Sequence, residues 1–143
     1  MNLRIAPIAF AEAVATLLRD SGLPTADLGQ GARVDFLGAH DGQALSGCVA
    51  LEDCGDALLL RSLAVARQRR GEGLGGALVE AAEQHARARG HAAVYLLTTD
   101  AHGFFAARGY RELARSEAPA GIARTAQFSG LCPASSHFMG KAL

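Results

Sequence analysis

At 143 residues, half of them hydrophobic, the chain can bury a core of its own without metal or disulfide support, and it reads as one domain over 1–143. Fourteen Lys and Arg balance fourteen Asp and Glu, so no positive excess draws nucleic acid or an anionic membrane surface, and both partner classes drop out. Cys48, Cys54 and Cys132 form no C-x-x-C pair and follow no signal peptide or long apolar span, which points to reduced thiols in the cytoplasm.

Leu3 to Ile8 alternates enough for a first strand, and Ala9 to Leu18 places apolar residues at helical spacing before a stop at Ser21-Gly22. Leu23 to Ala32, with Pro24 and Asp27 and weak periodicity, is a loop or a short helix. Val34 to Ala39 and Ala44 to Glu52 flank His40-Asp41-Gly42-Gln43, and Asp-Gly marks a hairpin because both residues tolerate positive φ. Ala57 to Val65 follows a second turn, so three strands form an antiparallel meander. Leu74 to Arg89 is a long helix with Leu74, Leu78, Ala81, Ala82 and His85 along one face, and Gly90 stops it. Ala92 to Thr98 is a buried strand by its β-branched and aromatic content. Strand, helix and strand in that order predict a right-handed crossover between parallel neighbours. A short helix from Ala101 to Arg108 capped by Asp100, a strand beginning at Tyr110, a helix or loop over Pro119 to Phe128 and a closing strand over Ser136 to Leu143 complete the chain.

Gln68-Arg69-Arg70-Gly71-Glu72-Gly73-Leu74-Gly75-Gly76 lies where a strand turns into the long helix. The first turn of a helix has N–H groups without internal partners, its dipole adds partial positive charge, and glycines let a ligand approach the main chain. An anion belongs there, and a pyrophosphate fits best. Gly71, Gly73 and Gly76 also satisfy G-x-G-x-x-G, with Asp100 able to pose as the ribose acid, so a nicotinamide dinucleotide stays open. Ala66 to Arg70 intervene between strand and first glycine, against that pattern. No Gly-x4-Gly-Lys-Ser/Thr occurs, which excludes a triphosphate loop.

Arg61-Ser62-Leu63-Ala64-Val65, the glycine loop and Gly103-Phe104-Phe105-Ala106-Ala107-Arg108-Gly109-Tyr110 together resemble motifs A and B of the GNAT N-acetyltransferase superfamily, clearly from Ala44 to Tyr110. Within it, the short length, Leu23-Pro24-Thr25-Ala26-Asp27 and Leu131-Cys132-Pro133-Ala134-Ser135 are similar to the arsenic-resistance N-acetyltransferases. The resemblance implies the α/β acyl-CoA N-acyltransferase fold, a mixed and mostly antiparallel sheet whose fourth and fifth strands are parallel and part company, flanked by helices. It implies acetyl-CoA as cofactor, a small amino-acid-like amine such as arsinothricin or a phosphinothricin-type analogue as acceptor, direct attack in a ternary complex, and a dimer as is common among similar proteins.

The same resemblance distributes roles. Backbone amides of Arg70, Gly71, Glu72, Gly73, Leu74, Gly75 and Gly76 would hold the pyrophosphate, Arg69, Arg70 or Arg108 would neutralise it, and Gln68 would brace the loop. Main chain at Leu63, Ala64 and Val65 would pair with the pantetheine arm, an N–H near Leu63 serving as oxyanion donor. Thr98 and Thr99 would face the cleft, Thr98 toward the acceptor and Thr99 toward the cofactor, with Ser62 beside the acceptor. Glu52 is the candidate base, through partial burial among apolar neighbours, against the rival reading of a solvated turn carboxylate. Phe105 stands where the family often has a proton-donating tyrosine; it would pack on the cofactor arm, leaving Cys132, Ser62 or solvent to protonate the thiolate. Tyr110 packs in the core. Arg61, and Arg33 or Arg124 from covering segments, would anchor the acceptor's anionic groups. No metal site is expected, although the three thiols could meet in the fold. A protein acetyltransferase and a non-catalytic acyl-CoA sensor are the functional rivals.

Overall fold

In the computed structural model, which describes residues 3–28, 33–131 and 136–143 apart from the side chains at 127 and 131, one sheet organises the chain. Its strands are β1 (Leu3–Ile8), β2 (Val34–Asp41), β3 (Ala44–Asp53), β4 (Leu58–Val65), β5 (Ala93–Thr98), β6 (Arg111–Leu113) and β7 (His137–Ala142), in the spatial order β1-β2-β3-β4-β5-β7-β6. The expected meander is present: β2 turns at Asp41 into β3, and β3 into β4, all antiparallel. β4 and β5 are the parallel pair, joined through the long helix α2 (Leu74–Ala88). A sheet with a single parallel pair is not the doubly wound parallel sheet of a dinucleotide-binding domain, so that alternative falls.

Strand periodicity decides which residues meet which helix. Leu58 and Leu60 of β4, Val49 and Leu51 of β3, and Leu37 of β2 point to one face, where Leu74, Leu78, Ala82 and Ala86 of α2 close over them. Leu78 has no solvent exposure; burying a leucine so completely contributes about 1.5–3 kcal/mol. On the opposite face Val14 and Leu18 of α1 (Glu12–Asp20) cover Phe36, Cys48 and Ala50, while Ile122 of α4 (Ala120–Ala123) packs with Leu59 and Phe138. Glu52 and Arg61 fall on this second face by alternation with Leu51 and Leu60, a placement that matters below.

Element ends differ from the sequence reading in ways the local chemistry explains. α1 starts at Glu12, not Ala9, with the acidic side chain in the first turn where the dipole favours it. α3 (His102–Ala106) is not capped by Asp100: the Ala101 N–H donates to Thr98 Oγ1 at 3.0 Å. The strand expected from Tyr110 begins one residue later. Tyr110 itself is 3% exposed, and its hydroxyl donates to Glu83 Oε2 at 2.9 Å, while Lys141 Nζ reaches both Glu83 oxygens at 3.1 Å. Burial first and then the Glu83 charge push the Tyr110 phenol upward. Tyr110→Phe should lower unfolding free energy by about 2 kcal/mol in urea titration, the usual worth of a hydrogen bond to a charged group; no change would mean that Lys141 alone satisfies Glu83.

Candidate functional site

The turn between β4 and α2 is built to leave donors free. Arg67–Arg69 forms one tight turn, Gly71 and Gly73 take φ of +83° and +81°, and Gly73 is the residue before the helix, with no side chain to cap it. Such dihedrals suit glycine because a Cβ would be strained there. Among the described residues the main-chain N–H groups of Gly71 to Gly76 meet no backbone acceptor, and the first turn of α2 carries no acidic side chain. A Cβ built on Gly71 or Gly73 would enter open space, so the main chain there is open to approach.

The charges around the loop are arranged less simply than expected. Arg69 is paired with Asp41 and lies 3.6 Å from a Glu72 oxygen, so it is largely neutralised. Arg70 is exposed, its Nε donating to Val65 O at 3.1 Å. Arg108 sits 3.8 Å over the Phe104 ring and donates to Phe104 O at 3.0 Å; its guanidinium occupies the space a side chain at Gly76 would need. Among the described residues, of these three arginines Arg70 and Arg108 have no carboxylate partner. Gln68 does not brace the loop: it is exposed, makes no hydrogen bond among the described residues, and lines a cavity of about 570 Å³ with Thr16, Leu17 and Ser21 of the α1 end.

Beyond Leu60 and Leu96 the parallel strands part, because pairing of β4 with β5 ends there. A bulge drives the parting: Cys48 faces Ala64 and Ala50 faces Arg61, so Ser62 and Leu63 oppose Val49 alone. Ser62 carries the strain, with φ of +58° in a residue that is not glycine. A cleft of about 110 Å³ opens between Ser62 and Leu63 on one strand and Leu97 and Thr98 on the other, with Phe105 and Leu23 at its walls. Thr98 is buried there with its oxygen engaged by Ala101, while Thr99 is exposed and does not line the cleft.

Arg61 and Glu52 require correction. The Arg61 guanidinium is wholly buried and fully engaged: Nη1 and Nη2 donate to Asp27 at 2.5 and 2.7 Å, Nη1 also to Glu52 Oε1 at 2.9 Å, and Nε to Ser62 Oγ at 3.3 Å. It is a strut, not a free anchor for a substrate anion. Glu52 is buried but not among apolar neighbours as expected; its neighbour is Arg61. The Arg61 guanidinium beside Asp27 holds that carboxyl below the usual range, against the opposing effect of burial. Glu52 also lines a recess of about 300 Å³ with Arg33, Arg124 and Thr125, and among the described residues neither arginine has an ionic partner.

Phe105 is 5% exposed, edge-on to both Phe104 and Tyr110, and cannot donate a proton. Tyr110 cannot stand in, since its hydroxyl is committed to Glu83. Cys132 lies outside the described residues. The other thiols do not meet: Cys48 and Cys54 are six residues apart along an extended strand, about 20 Å at 3.3 Å per residue. Burial pushes Cys48 up to about 12, and burial followed by Glu52, Asp53 and Asp56 does the same for Cys54.

Free main-chain donors at a strand-to-helix turn lie beside a bulged strand that leaves its parallel neighbour, the arrangement that the sequence resemblance implies. Residues 32–112, more than half of the chain, match the family model described as Acetyltransferase (GNAT) domain. The chain belongs to the GNAT acetyltransferase family, a class of acetyl-CoA-dependent N-acetyltransferases. None of the curated proteins matches it in sequence. Among solved structures it is similar to N-acetylglutamate synthase from Neisseria gonorrhoeae in complex with coenzyme A and N-acetyl-glutamate, at 24% identity and TM-score 0.80 over 100% of this chain and 35% of that one. An acetyltransferase from Streptococcus agalactiae is 19% identical over 99% of this chain and 98% of its own, with TM-score 0.75. PaiA N-acetyltransferase from Thermoplasma acidophilum, solved with coenzyme A, is 15% identical over 100% of both chains, with TM-score 0.70. At these identities the likeness establishes the fold, and this chain spans about a third of the N. gonorrhoeae synthase. Among the described residues no helix is long and apolar enough to cross a membrane.

Proposed function

We propose that this chain transfers the acetyl group of acetyl-CoA to the amine of a small amino-acid-like acceptor in the cytoplasm, with arsinothricin or a phosphinothricin-type compound as the candidate acceptor. The observation that carries the reading is the row of unbonded N–H groups from Gly71 to Gly76 beside the parting of β4 and β5. In this reading the pyrophosphate caps α2 and the pantetheine arm runs along Leu63, Ala64 and Val65 toward the cleft. The thioester oxygen meets an N–H near Leu63, and Thr99 and Phe105 contact the arm.

The amine attacks the thioester carbon, the tetrahedral adduct loses the extra proton on its nitrogen to solvent and collapses, and the C–S bond breaks to release the thiolate. An ammonium has no lone pair, so a base must first take its proton. Glu52 fills that role through the oxygen not bound to Arg61, directly or through one water. The thiolate is a good leaving group and takes its proton from solvent. With Arg61 engaged, acceptor anions fall to Arg33 and Arg124, which share the recess with Glu52. Ser62 and Thr98 line the cleft that would receive the thioester. That the N. gonorrhoeae relative was solved with an acetylated amino acid supports an amino-acid-like acceptor.

A thiol-release assay with acetyl-CoA and a panel of amino acids, arsinothricin and phosphinothricin included, tests the reading. Turnover is expected on at least one compound, and Glu52→Gln should lower kcat by roughly 10²-fold or more, most severely at low pH where free amine is scarce. An unaltered pH profile removes Glu52 from the mechanism. Phe105 in place of a tyrosine favours a second reading, an acyl-CoA sensor; coenzyme A binding with no thiol release on any amine would establish it instead.

A further inference from the structure

His102, Glu112 and His137 come together toward the sheet's outer edge, next to the wall of the acyl cleft, since His137 pairs with Thr98 across β5 and β7. His102 opens α3, Glu112 lies on the edge strand β6, and His137 begins β7. β6 and β7 are antiparallel with Glu112 opposite Met139, so His137, two residues along, is Glu112's diagonal neighbour on the same face. His102 Nε2 lies 3.1 Å from Glu112 Oε1, and His137 Nδ1 lies 2.8 Å from Oε2. The imidazole rings stack with centroids 4.5 Å apart, and one ligand atom from each of the three residues falls within 4.8 Å of the others. All three side chains are between about 38% and 51% exposed, so an ion can reach them.

We propose that these three side chains bind a divalent transition-metal ion of the zinc type. Ligand atoms held about 2.0–2.2 Å from a tetrahedral ion stand roughly 3.3–3.5 Å from one another, so the observed separations need only small rotations of exposed side chains. Two imidazoles and a carboxylate suit zinc, cobalt, nickel and copper rather than magnesium or calcium. Three protein ligands leave a fourth position for water. The ligands are dispersed in sequence, with no motif spacing, and only the register of β6 on β7 collects them. Bound there, the ion ties α3 to the two outermost strands. Phe105, at the wall of the acyl cleft, stands three residues after His102 on that helix, so the ion would stiffen the support of the cleft.

Titration of the untagged full chain with Co²⁺, followed by visible absorption, tests the proposal. One equivalent should develop the d–d bands of nitrogen and oxygen coordination, and Zn²⁺ should displace them. Glu112→Gln and His137→Ala, both at exposed positions, should each weaken binding at least tenfold, and Zn²⁺ should raise the melting temperature of the wild-type chain but not of these variants. Absence of the bands, affinity unchanged in both variants, or a thiolate-to-cobalt charge-transfer band placing the ion on cysteine would each overturn it.

Discussion

Gly73→Asp should reduce affinity for coenzyme A by about 100-fold or more while leaving the fold intact. The two consequences separate because of where the missing Cβ would point. A Cβ at Gly73 meets no protein atom within 4 Å, so the main folding cost is the left-handed φ of +81°, about 1–2 kcal/mol. The same side chain projects into the space where the diphosphate is placed, and a carboxylate there opposes it by charge as well as bulk. Losing two or three main-chain hydrogen bonds to a charged group removes about 3 kcal/mol or more, hence the 100-fold. Gly71→Val should act similarly through bulk, at φ of +83°. Calorimetric titration with coenzyme A beside thermal melts is the measurement. Wild-type affinity in both variants would mean that the diphosphate is held elsewhere, and the proposed function would go with it.

Arg61→Met should be the most destabilising of the substitutions considered, by about 3–5 kcal/mol at pH 7, a large part of the 5–15 kcal/mol that holds a domain of this size together. The methionine fills the volume but strands Asp27 and Glu52, whose side chains are only 13% and 9% exposed, without their cation. The pH dependence has a definite sign. Asp27 is depressed in the fold, so its pairing is fully stabilising above the ordinary value of 3.8 and is lost as pH falls through the lower folded value. The penalty of Arg61→Met should accordingly be full above the ordinary value of 3.8 and shrink as pH falls below it and Asp27 takes up a proton. Urea unfolding of both proteins above and below that value checks it; a penalty independent of pH would show that lost packing, not lost charge, is responsible.

How far the sequence could be read depended on the range of the interactions involved. The β2–β3 hairpin was visible in Asp41-Gly42, and the strand-to-helix turn in Gly71 and Gly73, because positive φ is a local demand that selects its residue. Alternation and helical spacing placed β4, α2 and β5 within a residue or so. Arg61 was misread because its partner Asp27 lies 34 residues away on another segment. A signal did exist: Arg61 is the lone charge in Leu58–Val65, and a charge inside a buried strand requires a counter-charge. The bond from the Ala101 N–H to Thr98 ahead of α3 and the engagement of Arg69 by Asp41 likewise depend on how turns fold back. The bulge at Ser62 leaves no local signature, since serine has no preference for the dihedral it is forced to adopt.

The bare glycine before α2 has a thermodynamic corollary. Serine, threonine and aspartate are preferred at the start of a helix, where they satisfy the first amides; under the proposed function that task would pass to a small molecule that comes and goes. Coenzyme A occupancy at 100 times its dissociation constant would add about 2.7 kcal/mol to folding stability. Resistance to proteolysis in the cell would then follow cofactor supply, so starvation for coenzyme A would thin the population of this protein before any shortage of acceptor was felt.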